Sequence, residues 1–242
     1  MSAIEIQGLS KKYRDVLAVD RLSLSIEEGE LFSLLGVNGA GKTTTIKMLS
    51  CLTSPTEGDA TLLGKSIRQD PQAVKALIAV SPQESAIAPS LSVRENLDLI
   101  CGVHGFPKEK RLAKIQEIVD LLGLKSLLSK KAGKLSGGWQ RRLSIAMALI
   151  SEPKILFLDE PTLGLDVIAR AELWDLIRTL KGRVTVILTT HYMEEAEALS
   201  DRIAIMKDGK LLCCDTPDGM KATTGTDSVE KAFLAIVRGA ER

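Results

Sequence analysis

Apolar and polar residues alternate in Ile4-Glu5-Ile6 and again in Leu22-Ser23-Leu24-Ser25-Ile26. That period of two predicts half-buried strands of an antiparallel sheet. Glu28-Gly29-Glu30 turns the chain into Leu31-Phe32-Ser33-Leu34-Leu35, a nearly continuous apolar run that reads as a strand covered on both faces. Ile155-Leu156-Phe157-Leu158 and residues 184–188 have the same character, and residues 167–180 between them read as a crossover helix. Strands alternating with helices predict a parallel sheet, whose functional groups gather at the carboxyl ends of its strands. A closing hairpin is expected over residues 203–206 and 211–214, around Asp208-Gly209.

The middle of the chain changes period. Ser92-Val93-Arg94-Glu95 is a capping box, and Leu112, Ile115, Val119 and Leu122 fall on one face of a helix predicted over 110–122, stopped by Gly123. A short helix is expected over 44–49, and another over 139–150, ended by Glu152-Pro153. The expected organisation is one α/β domain. Residues 1–84 and 152–215 form a core with an antiparallel β subdomain, 85–151 form an inserted helical subdomain, and 216–242 form a short helical tail burying Val229, Phe233 and Ile236.

Composition narrows the classes. Thirty-two basic and 31 acidic residues leave a net charge of +1, which provides no broad field for nucleic acid or anionic lipid, and 3% aromatic content argues against a base-stacking platform. Nucleic acid is therefore not expected as a partner. The opening MSAIEIQGL has no signal-peptide pattern, and no run approaches the ~20 apolar residues of a membrane span. A cytosolic chain is expected, with any membrane role running through a partner. Cys51, Cys101, Cys213 and Cys214 show neither zinc spacing nor a disulfide framework and read as reduced.

Gly36-Val37-Asn38-Gly39-Ala40-Gly41-Lys42-Thr43 matches the P-loop pattern between a strand and a helix. Glycines let the backbone wrap phosphates so that N–H groups face the anion, Lys42 reaches the β/γ oxygens, and the Thr43 hydroxyl ligates Mg²⁺. Asp159 and Glu160 end a buried strand, where the first carboxylate can hold the metal and the second can polarise an attacking water. Helix capping is the bland alternative, but a P-loop needs a metal-side carboxylate at a neighbouring strand tip. His191 ends the next strand, beside those tips. Leu135-Ser136-Gly137-Gly138 opens a helix with a second N–H-presenting loop on a separate lobe. One triphosphate has no use for two cradles on one chain, so a symmetric dimer is expected, each Ser136 loop closing over the phosphate held by the other subunit.

In this order the motifs resemble the ATPase subunit of ABC transporters over essentially the whole chain. The resemblance implies a P-loop NTPase core of the RecA-like kind with an inserted signature subdomain. It assigns Gly36 to Thr43 to Walker A, with Thr44 beside them at the nucleotide. Gln83 of Ser81-Pro82-Gln83 becomes the Q-loop residue, catalytic and metal-side together with Thr43 and Asp159. It makes Ser136, Gly137 and Gly138 the signature, Glu160 the catalytic carboxylate and His191 the switch histidine. Tyr13 matches the aromatic that stacks on adenine, with edge-strand packing as the alternative. Two departures stand out: Trp139 replaces the usual glutamine after the signature, and Gly164-Leu165-Asp166 replaces the usual Ser-Ala-Leu-Asp.

The resemblance further implies ATP and Mg²⁺ as cofactors, a second ATPase subunit (the same chain or a paralogue), and integral membrane subunits as partners. The location is then peripheral, on the cytoplasmic face of the cell membrane. The tail from Ser228 resembles the ends of drug and antibiotic exporter ATPases. A non-transport ABC ATPase of repair, translation or iron-sulfur assembly is the alternative, and such machines carry a coiled-coil insert, a tandem cassette or a basic arm that this sequence lacks. A module using ATP only as a structural ligand has no need of Glu160 and His191.

Overall fold

The computed structural model describes residues 1–240. In chain order the strands are β1 (Ser2–Tyr13), β2 (Val16–Glu27), β3 (Leu31–Leu35), β4 (Glu57–Leu62), β5 (Lys65–Ser66), β6 (Ile78–Ser81), β7 (Ile155–Asp159), β8 (Thr185–Thr190), β9 (Arg202–Lys207) and β10 (Lys210–Asp215). The helices are α1 (Lys42–Leu49), α2 (Pro71–Leu77), α3 (Val93–Val103), α4 (Lys108–Leu121), α5 (Gly137–Leu149), α6 (Val167–Leu180), α7 (Met193–Leu199), α8 (Pro217–Thr224) and α9 (Val229–Gly239). Of the predicted tail, residues 241 and 242 lie outside the described residues.

Two sheets organise these elements. An antiparallel sheet runs β2-β1-β4-β5, and a six-stranded sheet runs β10-β9-β3-β8-β7-β6. In the second, β6, β7, β8, β3 and β9 are mutually parallel and β10 is antiparallel. The continuous apolar runs have a direct cause: successive side chains enter different cores. Leu156 and Leu158 face the core shared with α3, α4 and α5, while Ile155 and Phe157 face the core between the two sheets. On β9, Ile203 and Ile205 pack instead with Val229, Ala232 and Phe233 of the terminal helix. Cys213 and Cys214 likewise point to opposite faces and carry no disulfide.

Sequence pattern and structure differ at a few places. Leu112 is 62% exposed, so it does not belong to the buried stripe of α4, which includes Ile115, Ile118 and Val119, with Leu122 buried at the helix end as expected. The first turn of α4 is tied to α3 by Arg111 instead, whose Nη1 lies 3.6 Å from Asp98 Oδ1 while its Nε donates to Phe106 O of the connecting loop at 2.8 Å. Helix α1 starts at Lys42, two residues before the predicted 44, and α5 starts at Gly137 instead of 139. Glycine is poor inside a helix but tolerated in a first turn, where the N–H groups have no intrahelical partner in any case. At Gly138 there is no room for more: a Cβ would lie 2.9 Å from the Cβ of Ala169 on α6. Among the described residues no helix is long and apolar enough to cross a membrane.

Phe157 is fully buried in the middle of β7. Phe157→Ala is expected to lower unfolding free energy in urea by about 3–5 kcal/mol. Leu112→Ala should change it by less than about 0.5 kcal/mol, and a large loss there would contradict the exposed placement of Leu112.

Candidate functional site

The strand order sets the site. Reading across β3, β8, β7 and β6, the carboxyl ends present the loop at Gly36, then His191, then Asp159 and Glu160, then Pro82 and Gln83. A cleft of about 510 Å³ opens there, lined by Asn38, Gly39, Ala40, Gly41, Lys42, Thr43, Thr44, Gln83, Glu160 and His191, with Ala18 from β2. Residues separated by more than a hundred positions meet because β3 pairs with β8 and β8 with β7.

The loop from Gly36 is built around backbone approach. A Cβ at Gly36 would come within 2.4 Å of Met206 O, and Gly41 has φ +102° with a Cβ position 2.5 Å from Ala18 O. Both positions exclude a side chain, and Gly41 also requires a conformation that L-residues rarely adopt. Gly41 then serves as the N-cap of α1 without any side-chain cap, which leaves first-turn N–H groups directed at the cleft. Lys42 Nζ donates to Gly36 O at 2.7 Å and Val37 O at 3.3 Å and lies 3.7 Å from Glu160 Oε1. Burial lowers the Lys42 ammonium from its usual value, opposed by the charges of Glu160 and Asp159.

The acidic tip of β7 is ordered by β8. Thr189 Oγ1 donates to Asp159 Oδ1 at 2.5 Å and accepts from the Glu160 N–H at 3.0 Å, so one hydroxyl fixes both acidic residues. Thr43 Oγ1 donates to the same Asp159 oxygen at 3.2 Å. Glu160 has φ +46°, the left-handed region, at a cost of about 1–2 kcal/mol for a residue with a Cβ. Its carboxylate bridges two basic groups, with Oε1 towards Lys42 and Oε2 3.0 Å from His191 Nδ1. That histidine nitrogen is otherwise without a hydrogen-bond partner, and the 3.0 Å approach is off hydrogen-bond alignment. The site thus has a positive cradle, a hydroxyl–carboxylate pair of the hard-oxygen type that suits Mg²⁺, and a second carboxylate aimed into the opening.

Three structural residues escaped the motif reading. Thr189 is one. The second is Arg141 of α5, 4% exposed, which donates to the carbonyls of Pro82, Gln83, Asp159 and Pro161. Burial pushes its guanidinium down to about 10, which leaves it charged at neutral pH. Its signal was a basic residue four positions from both Gly137 and Ile145, on the inward stripe of the helix. The third is Glu195 of α7, fully buried, whose Oε1 accepts from Thr162 Oγ1 at 2.8 Å and Trp174 Nε1 at 3.1 Å. Burial pushes that carboxyl up. Nothing in the local run Glu194-Glu195-Ala196-Glu197 marks which carboxylate turns inward.

Other expected residues are not brought to the cleft. Ser136, Gly137 and Gly138 line no part of it; Ser136 and Gly138 border a separate crevice with Trp139, Arg142 and Glu172. Ser136 is the exposed N-cap of α5 and its hydroxyl makes no cap bond. Trp139 packs inward under the Arg142 guanidinium, 4.5 Å from its ring, while Arg142 Nη2 donates to Glu172 at 3.2 Å. Tyr13 ends β1 with a 43% exposed ring, 5.0 Å from Lys11 Nζ, and does not border the cleft either; nor does Val37, whose carbonyl turns back to Lys42.

The sequence profile of the ABC transporter family matches residues 19–163, a span that includes the cradle and Glu160. The chain is 40% identical over 230 residues to daunorubicin resistance ATP-binding protein DrrA3 of Streptomyces coeruleorubidus, covering 95% of this chain and 73% of that protein. It is 39% identical over 243 residues to the probable multidrug ABC transporter ATP-binding protein YbhF of Escherichia coli, covering 98% of this chain but 42% of YbhF. Its fold superposes with a TM-score of 0.84 and 25% identity on a solved ATP-binding subunit of an ABC transporter, over 97% of this chain and 99% of that one. By profile, by identity and by fold, this chain belongs to the ABC transporter family, as one of its ATP-binding, ATP-hydrolysing subunits.

Proposed function

We propose that the chain powers export through a separate membrane subunit, by closing head to tail on a second ATPase subunit around ATP and Mg²⁺. The carrying observation is the split between two anion-binding helix starts. The N-terminus of α1 opens into the cleft, whereas that of α5, with Ser136 free, borders none of it. A two-fold arrangement that sets Ser136, Gly137 and Gly138 of one chain over the phosphates on Lys42 of the other uses both. Mg²⁺ would be held by Thr43 and Asp159 with Gln83 on the metal side, neutralising phosphate charge. Glu160 takes the role of the base for water, and His191 holds its carboxylate in place. Tyr13 is the adenine-side residue.

A membrane partner is supported by the surface beside Gln83. There a groove of about 210 Å³ runs between β6, α3 and α5, lined by Pro82, Ala86, Ile100, His104 and Met147 among others. Leu99 and Val103 are further exposed apolar residues on the same helix, α3. An apolar cytosolic segment of a membrane subunit suits this face, which supports a peripheral location at the cytoplasmic side. Export is supported by the drug-resistance and multidrug names of the relatives above.

Three experiments test the reading. Lys42→Ala and Ser136→Glu should each abolish ATP hydrolysis, and mixing the two variants should restore it, because a mixed dimer contains one site with both Lys42 and Ser136 intact. Absence of any recovery would sink the shared-site arrangement. Glu160→Gln should lower kcat by about 100-fold or more while ATP still binds. In native membranes, tagged chain is expected to recover an integral membrane protein, and Ile100→Asp to lose it while keeping ATP binding. Recovery of a cytosolic assembly alone would overturn the transport assignment.

A further inference from the structure

Glu160 adopts a left-handed conformation that its Cβ disfavours, so something must hold the peptide groups on either side. The residue before it, Asp159, gives its carbonyl to Arg141 Nη2 at 2.7 Å. The residue after it, Pro161, gives its carbonyl to Arg141 Nε at 3.0 Å. One guanidinium therefore closes a bracket around Glu160. Its remaining nitrogen, Nη1, donates to Pro82 O and approaches Gln83 O at 3.4 Å, which ties the peptide of the cleft glutamine to the same group. All four acceptors are main-chain carbonyls; the fixed fork of a guanidinium is used here for geometry, which a lysine ammonium does not reproduce.

A second contact between the same helix and the same strand end serves as an internal comparison. Ser144, one turn further along α5, shares a 3.0 Å hydrogen bond with Ser81 at the end of β6, both side chains buried. That bond packs α5 onto β6 without touching the residues that flank Glu160.

We propose that Arg141 is a positioning residue for hydrolysis: it sets the attack geometry of Glu160, and the placement of Gln83, by gripping the carbonyls around them. It touches neither nucleotide nor water and acts through those two residues. Its removal leaves the phosphate cradle of Lys42 and Thr43 in place, so the defect falls on turnover and spares nucleotide affinity.

The test compares Arg141→Lys, Arg141→Gln and Ser144→Ala in the full chain, measuring kcat, ATP KM and thermal midpoint. In both Arg141 variants kcat is expected to fall about 100-fold, the scale of a misplacement near 1 Å, with KM held within about threefold. Ser144→Ala should lower the thermal midpoint and keep kcat within about twofold. Placed in the Glu160→Gln background, Arg141→Lys should lower single-turnover hydrolysis by much less than about 100-fold, because the part of its effect that runs through Glu160 is already lost and only the part through Gln83 remains. Wild-type kcat in either Arg141 variant, kcat that tracks thermal midpoint across all three variants, or an undiminished second loss in the Glu160→Gln background would each overturn the proposal. So would failure of both Arg141 variants to fold where Ser144→Ala folds, since that outcome assigns Arg141 to stability alone.

Discussion

The central constraint is a parallel sheet buried on both faces. With Leu156 and Leu158 committed to one core and Ile155 and Phe157 to the other, no side chain of β7 before its last residue, Asp159, is left to carry chemistry. The same holds for the middle of β8, where Val186 and Leu188 face one way and Ile187 the other, leaving Thr189 and Thr190 at its end. Polar function is therefore displaced to the strand ends, and the register Leu35↔Thr190 and Asp159↔Thr189 sets those ends side by side. The consequence is a site made of tips whose spacing is fixed by backbone hydrogen bonds, before any side chain is chosen.

What was legible in the sequence follows from the same constraint. The loop from Gly36 to Thr43 and the pair Asp159-Glu160 could be read because their chemistry lies in consecutive residues directly after an apolar run. Thr189 could not, since its value depends on β8 lying next to β7, a pairing across 30 positions. Glu195 is harder still: three carboxylates crowd one short helix, and only packing against Thr162 and Trp174 selects the inward one. Leu112 shows the opposite failure. Its spacing from Ile115 fits a buried stripe, but Arg111 closes the α3–α4 junction and the stripe begins about one turn later than the period suggests.

The two helix starts are the basis for the proposed pairing of subunits. Side-chain caps satisfy the first turns of α3, α6, α8 and α9, through Ser92, Asp166, Thr216 and Ser228. Helices α1 and α5 have no side-chain cap, a property shared with α2, α4 and α7, but of these only α1 and α5 carry glycine at the helix start, at Gly41 and at Ser136-Gly137-Gly138. Unsatisfied N–H groups at a surface are cheap in water and valuable against phosphate, where charge-assisted bonds replace weaker ones to solvent. One such end lies inside the cleft and the other on a lobe where it borders none of that cleft, which is the separation that the proposed dimer would close.

Motion of that lobe is then governed by what α5 would have to release. On one side it is seated against α6, with Gly138 so close to Ala169 that a methyl would clash, and with the Trp139, Arg142 and Glu172 stack beside it. On the other side Arg141 holds carbonyls from the ends of two different strands. A small tilt of α5 that breaks only part of this grip leaves buried carbonyls without donors, at about 1–3 kcal/mol each. Intermediate tilts are therefore disfavoured relative to positions in which the fork is fully engaged, here or with a different set of partners. A helical lobe held this way moves between discrete settings instead of drifting, and each setting carries its own placement of Gln83 and Glu160. In the dimer proposed here, pressure on Ser136 at one end of α5 is felt first at Arg141, one turn away, which lies between the partner's phosphate and this chain's own catalytic carboxylate.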